Sequence, residues 1–180
     1  MTELRVAVTS LKVLLIGAEV TGAPRRRTVW WLLAAAAAAY LAYGATTYLD
    51  LKSGLPIVLC AAGGLALASP MVLVVTRPLL AWRVAWLTAV VTGVAVQAHG
   101  RTPFSWHPAV LAAQLVILFV LALRSPVAVS AWAWASMVAL VAVSFYPADR
   151  VPLSVIVAVV MGIAGLIRAV RVRRPARTAA

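Results

Sequence analysis

Apolar residues fall into six blocks, at 29–49, 55–76, 79–98, 108–123, 127–145 and 151–170. Each approaches the roughly 20 residues that an α-helix needs to cross the hydrocarbon core of a bilayer. The pattern predicts six membrane spans, the fourth the shortest. Pro56, Pro108 and Pro152 each stand in the first turn of a block, where a missing N–H costs little, so they are read as helix starts. Pro70 lies inside the second block. There it removes a helical hydrogen bond and predicts a bend stabilised by Ser69 and neighbouring helices, with a gating hinge as the functional alternative. The connections read DLKSG, HGRTPFSWH, RSP and YPADR, too short for an independent ligand-binding domain.

The first 28 residues follow another period. Arg5, Lys12 and Glu19 recur every seven positions and share one helical stripe, while Leu4, Val8, Leu11, Leu15 and Ala18 fall on the other side. This predicts an amphipathic interfacial helix. A cleaved secretory signal does not fit, because Lys12 interrupts the apolar stretch and the cluster Arg25, Arg26, Arg27 follows it. The predicted organisation is a cytoplasmic amphipathic helix and basic linker at 1–28, a transmembrane bundle at 29–170 and a basic cytoplasmic tail at 171–180. The expected fold class is all-α, a polytopic membrane protein of about six transmembrane helices with short loops.

Composition sharpens this picture. With 64% hydrophobic residues, 11% charged and a mean hydropathy of +1.02, the chain lies well outside the range of soluble domains. The net charge of +12 could point to nucleic acid, but the arginines sit between apolar blocks or at the ends of the chain. Sorting Lys and Arg by alternate sides of the six spans places thirteen on the side of both termini and three, Lys52, Arg101 and Arg150, on the other. That asymmetry predicts cytoplasmic termini in a plasma-membrane protein and argues against a nucleic-acid partner. Arg77 and Arg83 then flank an inner turn, with Arg83 one to two turns inside its span and close enough to the interface to snorkel. Trp82, Trp86, Trp30, Trp31 and Trp106 are assigned to interfacial aromatic belts. The alanine run at 34–39, AAGGLALAS and GIAG are read as small-residue packing faces, and Cys60 as a small buried filler.

Groups able to do chemistry are few. The chain has four acids, two histidines and no asparagine. His99 and His107 flank an outer loop with Trp106 and Arg101 between them; this is a sensing-loop candidate rather than a metal site, because a third ligand is missing and Arg101 repels a cation. Gln97 and Gln114, at membrane depth, are expected to hydrogen-bond between helices. No phosphate-binding GxxxxGK[ST] or HExxH motif occurs. No enzymatic activity and no cofactor or metal are expected.

TRPLLAWRVAWL at 76–87, PFSWHP at 103–108, LFVLALRSPVAVSAWAWA at 118–135 and LIRAVRVRRPAR at 166–177 resemble the amino-terminal membrane module of actinobacterial sensor histidine kinases, over about 70–175. That family implies a helical bundle with minimal loops ahead of a phosphoacceptor helix and an ATP-binding domain. The family's phosphoacceptor histidine precedes an acid, whereas His99 precedes Gly100 and His107 precedes Pro108. Its ATP-binding domain needs an asparagine that this chain lacks. The resemblance therefore implies the sensor module of a two-component signal-transduction system without its kinase core. Signalling would run as a shift between two helix packings driven from the bilayer, with membrane lipids and a homodimer or kinase partner as partners. Under it, Arg77, Arg83, Trp82, Trp86 and Pro70 are the anchoring or signalling candidates. A structural or partner-binding membrane protein and a small transporter subunit are the alternatives.

Overall fold

The computed structural model describes residues 2–17, 27–98 and 107–173. Among these residues seven helices follow in order: α1 Thr2–Ile16, α2 Arg27–Ser53, α3 Ile57–Leu73, α4 Pro78–Ala98, α5 Pro108–Arg124, α6 Val127–Ser144 and α7 Pro147–Arg173. The six apolar blocks are α2 to α7, and the amphipathic stretch is α1. Four of the helices, α2, α4, α6 and α7, are individually long and apolar enough to span a membrane. The other two, α3 and α5, have 17 residues each, about 26 Å of rise and the lower limit for a span. Connectivity carries α3 across, since α2 ends where α3 begins and α4 starts back at the end where α3 finishes, and α5 reaches from His107 beside Tyr48 at one end to Arg124 on the Val75 carbonyl at the other. The chain is an all-α polytopic membrane protein.

The helices alternate in direction, so the bundle has two distinct ends. At the basic end lie Arg77, Arg124 and Arg168, together with the start of α2 at Arg27; Asp50, Lys52, Asp149 and Arg150 lie at the opposite end. The connections are shorter than the sequence suggests, because Asp50 to Ser53 still belong to α2 and Pro147 to Arg150 already belong to α7. Pro56 caps α3 and Pro108 opens α5, as expected. Pro152 does not start a helix: it lies inside α7, which begins at Pro147. Pro147 supplies the fixed φ of a first helical position five residues earlier, and so takes the role assigned to Pro152.

Packing explains the uneven apolarity. Helix α5 touches α2, α3, α4, α6 and α7 and buries Val110, Ala113, Gln114, Ile117, Leu118, Leu121 and Ala122. Its short length is that of a central helix sheathed by its neighbours. By contrast α7, over 147–170, buries Val157 and Ala164 alone among its apolar residues and exposes Val151, Val155, Val159, Ile163 and Leu166. An exposed apolar surface running the length of a helix is what lipid solvates.

The α2–α3 hairpin is the most intimate contact in the bundle. A Cβ at Gly64 would lie 2.2 Å from Thr46 Oγ1 and 2.8 Å from the Ala42 carbonyl oxygen, so only glycine lets the two backbones approach. The small residues of AAGGLALAS are thus a packing face. Gly54, at φ 69°, makes the turn that ends α2. Buried Ser53 ties this turn together. Its Oγ donates to the Leu49 carbonyl at 2.5 Å and accepts from the Leu55 amide at 3.2 Å. Cys60, fully buried, lies against it, with Sγ 3.5 Å from the Leu55 carbonyl.

Pro70 is buried inside α3. Having no N–H, it leaves the Ala66 carbonyl without its helical donor. Ser69 Oγ donates to that carbonyl at 2.9 Å, the local repair expected from the sequence.

Candidate functional site

The polar contacts of the bundle concentrate at its basic end, where three arginines each reach from one helix to the backbone of another. Arg83, on α4, donates from Nε to the Leu14 carbonyl at 2.5 Å and from Nη2 to the carbonyls of Val13 at 2.7 Å and Gly17 at 3.0 Å. These belong to the last turn of α1 and the residue after it, the negative end of the helix dipole; the Val13 carbonyl also accepts the Gly17 amide at 2.9 Å. Arg83 is therefore the C-terminal cap of α1, supplied from elsewhere in the chain.

Arg124, the last residue of α5, donates from Nη1 to the Val75 carbonyl at 3.1 Å, in the turn between α3 and α4. Arg168, on α7, donates from Nη1 to the Ser125 carbonyl, in the turn between α5 and α6. Each acceptor is a carbonyl at a helix end or turn, and each donor is a planar fork suited to it. A hydrogen bond to a charged group is worth about 1.5–3 kcal/mol, with the lower value applying to these partly exposed heads. Together the three contacts link α4 to α1, α5 to the α3–α4 turn, and α7 to the α5–α6 turn.

Two tryptophans extend the links. Trp132 Nε1, on α6, donates to the Ala7 carbonyl of α1 at 3.1 Å, and Trp86 Nε1, on α4, donates to the Ser136 carbonyl of α6 at 3.3 Å. Helix α1 is thus fastened by Trp132 near its middle and by Arg83 at its end, with Leu14 buried between it and the bundle. Val8 and Leu15, from the stripe expected to be apolar, are exposed. The helix presents one apolar face to the protein and another outward.

Arg83 and Trp86, two of the residues singled out in the sequence, are brought together here. Arg77 stays exposed two residues beyond the carbonyl that Arg124 holds. Trp82 is not an interfacial aromatic. At 2% exposure it is part of the interior, because it shares a helical stripe with Leu79, Ala85, Ala89 and Val96, all buried. Trp30 is exposed and Trp31 half-buried. His107 belongs to the far end, where Nδ1 accepts the Ala109 amide at 3.2 Å to cap α5, and its ring meets Tyr48 edge-on at 5.5 Å. His99, Arg101 and Trp106 lie outside the described residues.

From the sequence, Arg124 counted only toward the charge asymmetry, Arg168 was expected to meet anionic lipid where the last span leaves the membrane, and Trp132 was passed over. The one signal it offered was position: each arginine stands within two turns of the basic end of its helix. Gln114 does bond between helices, from Nε2 to the Ala85 carbonyl at 3.3 Å. Its Oε1 is buried with no partner. The chain matches no family model, no curated protein and no solved structure.

Proposed function

We propose that this chain is the membrane-embedded sensing module of a histidine-kinase type two-component system, seated in the plasma membrane with its basic end toward the cytoplasm and without catalysis of its own. The observation that carries this reading is the set of arginine-to-carbonyl links at the basic end. Helices whose other contacts are mostly apolar, where sliding costs little directionality, are held in register there by a few charged groups. For Arg83 and Arg168 the phosphates of the adjacent leaflet are competing partners.

A guanidinium can hold a carbonyl or a phosphate but not both with the same N–H groups. A change in lipid charge, packing or amphiphile content would therefore shift the balance between linked and released packings. Arg168 makes α7 one of the elements so controlled, and Arg83 does the same for α1. A kinase core, on the same chain or as a partner, would read the position of α7; two copies side by side would present two such helices. The cytoplasmic orientation rests on the excess of Lys and Arg at the basic end.

The test fuses residues 1–174 to the cytoplasmic part of a related histidine kinase and measures reporter output under membrane-active compounds. The expected result is a stimulus-dependent output whose baseline shifts in Arg168→Gln and in Arg83→Gln. A fusion that inserts and expresses normally yet gives the same output under every compound, in wild type and both variants, overturns the reading.

A further inference from the structure

A groove of about 340 Å³ opens on the flank of the bundle between α2, α3 and α5. Its walls are apolar, among them Ala37, Met71, Val116 and Val120, while Trp30 and Arg124 stand at the basic end of the bundle. From Val116 to Arg124 is about 12 Å along α5, so the groove runs from the headgroup level toward the middle of the membrane. It exists because part of the alanine run faces it: Ala34 and Ala37 line the wall where larger side chains would fill the space.

Among the described residues, the polar end carries cations with no acid on α3, α4 or α5 beside them. Arg124 gives one N–H to the Val75 carbonyl, and a guanidinium has five. Arg77, exposed, lies two residues beyond Val75, and Arg27 opens α2 one turn before Trp30. The four acids of the sequence stand at 3, 19, 50 and 149. None belongs to α3, α4, α5 or α6, and Asp50 and Asp149 lie at the opposite end of the bundle.

We infer that this groove is a binding site for an anionic glycerophospholipid of the leaflet at the basic end. The phosphate sits on the free N–H groups of Arg124, in the bidentate geometry that a guanidinium offers an anionic oxygen pair. One acyl chain lies along Val116, Val120 and Ala37. Trp30 covers the junction of headgroup and chain, the level at which indoles partition in bilayers. A cation at the mouth of an apolar groove, with no neighbouring carboxylate on the helices that form it, selects for headgroup charge. An apolar groove alone would take any acyl chain. This site stands whether or not the chain signals.

The test uses the purified full chain in neutral detergent, with phosphatidylglycerol and phosphatidylcholine of identical acyl chains titrated in competition and read by native mass spectrometry. One phosphatidylglycerol per chain is expected to be retained, with a preference over phosphatidylcholine of about fivefold, the value for one cationic contact near a membrane surface. Arg124→Gln should bring the preference close to unity and Arg124→Lys should keep most of it, while Arg150→Gln at the opposite end leaves it unchanged. Ala37→Leu, which fills the groove, should lower retention of both lipids.

A phosphatidylglycerol carrying a photoreactive acyl chain should label α2, α3 and α5 of the wild-type chain, a readout that needs no variant to fold. Equal retention of the two lipids by wild type overturns the inference. So does an unchanged preference in Arg124→Gln, or labelling spread evenly over α2 to α7. A preference lost in Arg124→Gln, with retention of both lipids undiminished in a folded Ala37→Leu, would reduce the site to surface attraction of headgroups and equally overturn it.

Discussion

Arg83 Nε lies 2.5 Å from the carbonyl oxygen of Leu14, a residue 69 positions earlier in the chain. The same guanidinium also holds Val13 and Gly17. The cap of the first helix is thus carried by a membrane span.

Lysine should not replace Arg83 silently. An ammonium counts equally toward orientation, but it is a point charge and cannot serve three carbonyls in a planar fork. Losing contacts worth about 2 kcal/mol should raise amide exchange across the second half of α1 roughly thirtyfold in Arg83→Gln, with Arg83→Lys in between and insertion unchanged. Hydrogen exchange by mass spectrometry measures this. Wild-type exchange in Arg83→Gln would mean that the buried contacts of Leu14 hold α1 unaided.

Trp132→Phe keeps the aromatic body and removes the indole N–H that reaches the Ala7 carbonyl. The expected loss is about 1 kcal/mol, seen as faster exchange in the first half of α1 while its capped end stays protected. A uniform effect along α1 would show that the helix detaches as one unit.

Two glycines should respond in opposite ways. Gly64→Ala places a Cβ within 3 Å of the α2 backbone and should destabilise the bundle by about 1–3 kcal/mol. A Cβ at Gly165 meets nothing within 4 Å, so Gly165→Ala should be neutral or stabilising by up to about 1 kcal/mol through helix propensity. Thermal unfolding in detergent separates the two, and equal effects would contradict the α2–α3 packing.

Gln114→Met removes a buried acceptor that has no partner, together with one hydrogen bond to the Ala85 carbonyl. An unsatisfied buried group costs about 1–3 kcal/mol and a neutral hydrogen bond contributes about 1, so the variant should be at least as stable as wild type. A drop in the unfolding temperature would show that Oε1 is satisfied in the membrane.

Orientation can be read with single cysteines in a Cys60→Ala background. A membrane-impermeant maleimide should label Asp149→Cys in intact cells, and Thr178→Cys only after permeabilisation. Asp149 is exposed, whereas Ser53, in the turn at the same end, is buried and hydrogen-bonded and would report poorly. Labelling of Thr178→Cys in intact cells would reverse the proposed orientation.

The sequence by itself determined the class, the number of apolar helices, a further helix ahead of them, the repair by Ser69 beside Pro70 and the small-residue packing face of α3. Each of these depends on residues close along the chain or on bulk apolarity, and a single strand of letters carries both. The same small-residue reading of GIAG fails, since a Cβ at Gly162 or Gly165 would meet nothing within 4 Å. Tertiary structure decided what the charges and aromatics do. Whether Arg83 snorkels or caps depends on α1 coming within reach of α4. Trp82 goes inside because the stripe it shares with Leu79 and Ala89 faces the bundle rather than the lipid. Apolar blocks specify no helix order in space, because the interior of the protein and the lipid are about equally apolar. Only the packed bundle, with α5 at its centre, brings Arg124 beside Val75 and Arg168 beside Ser125.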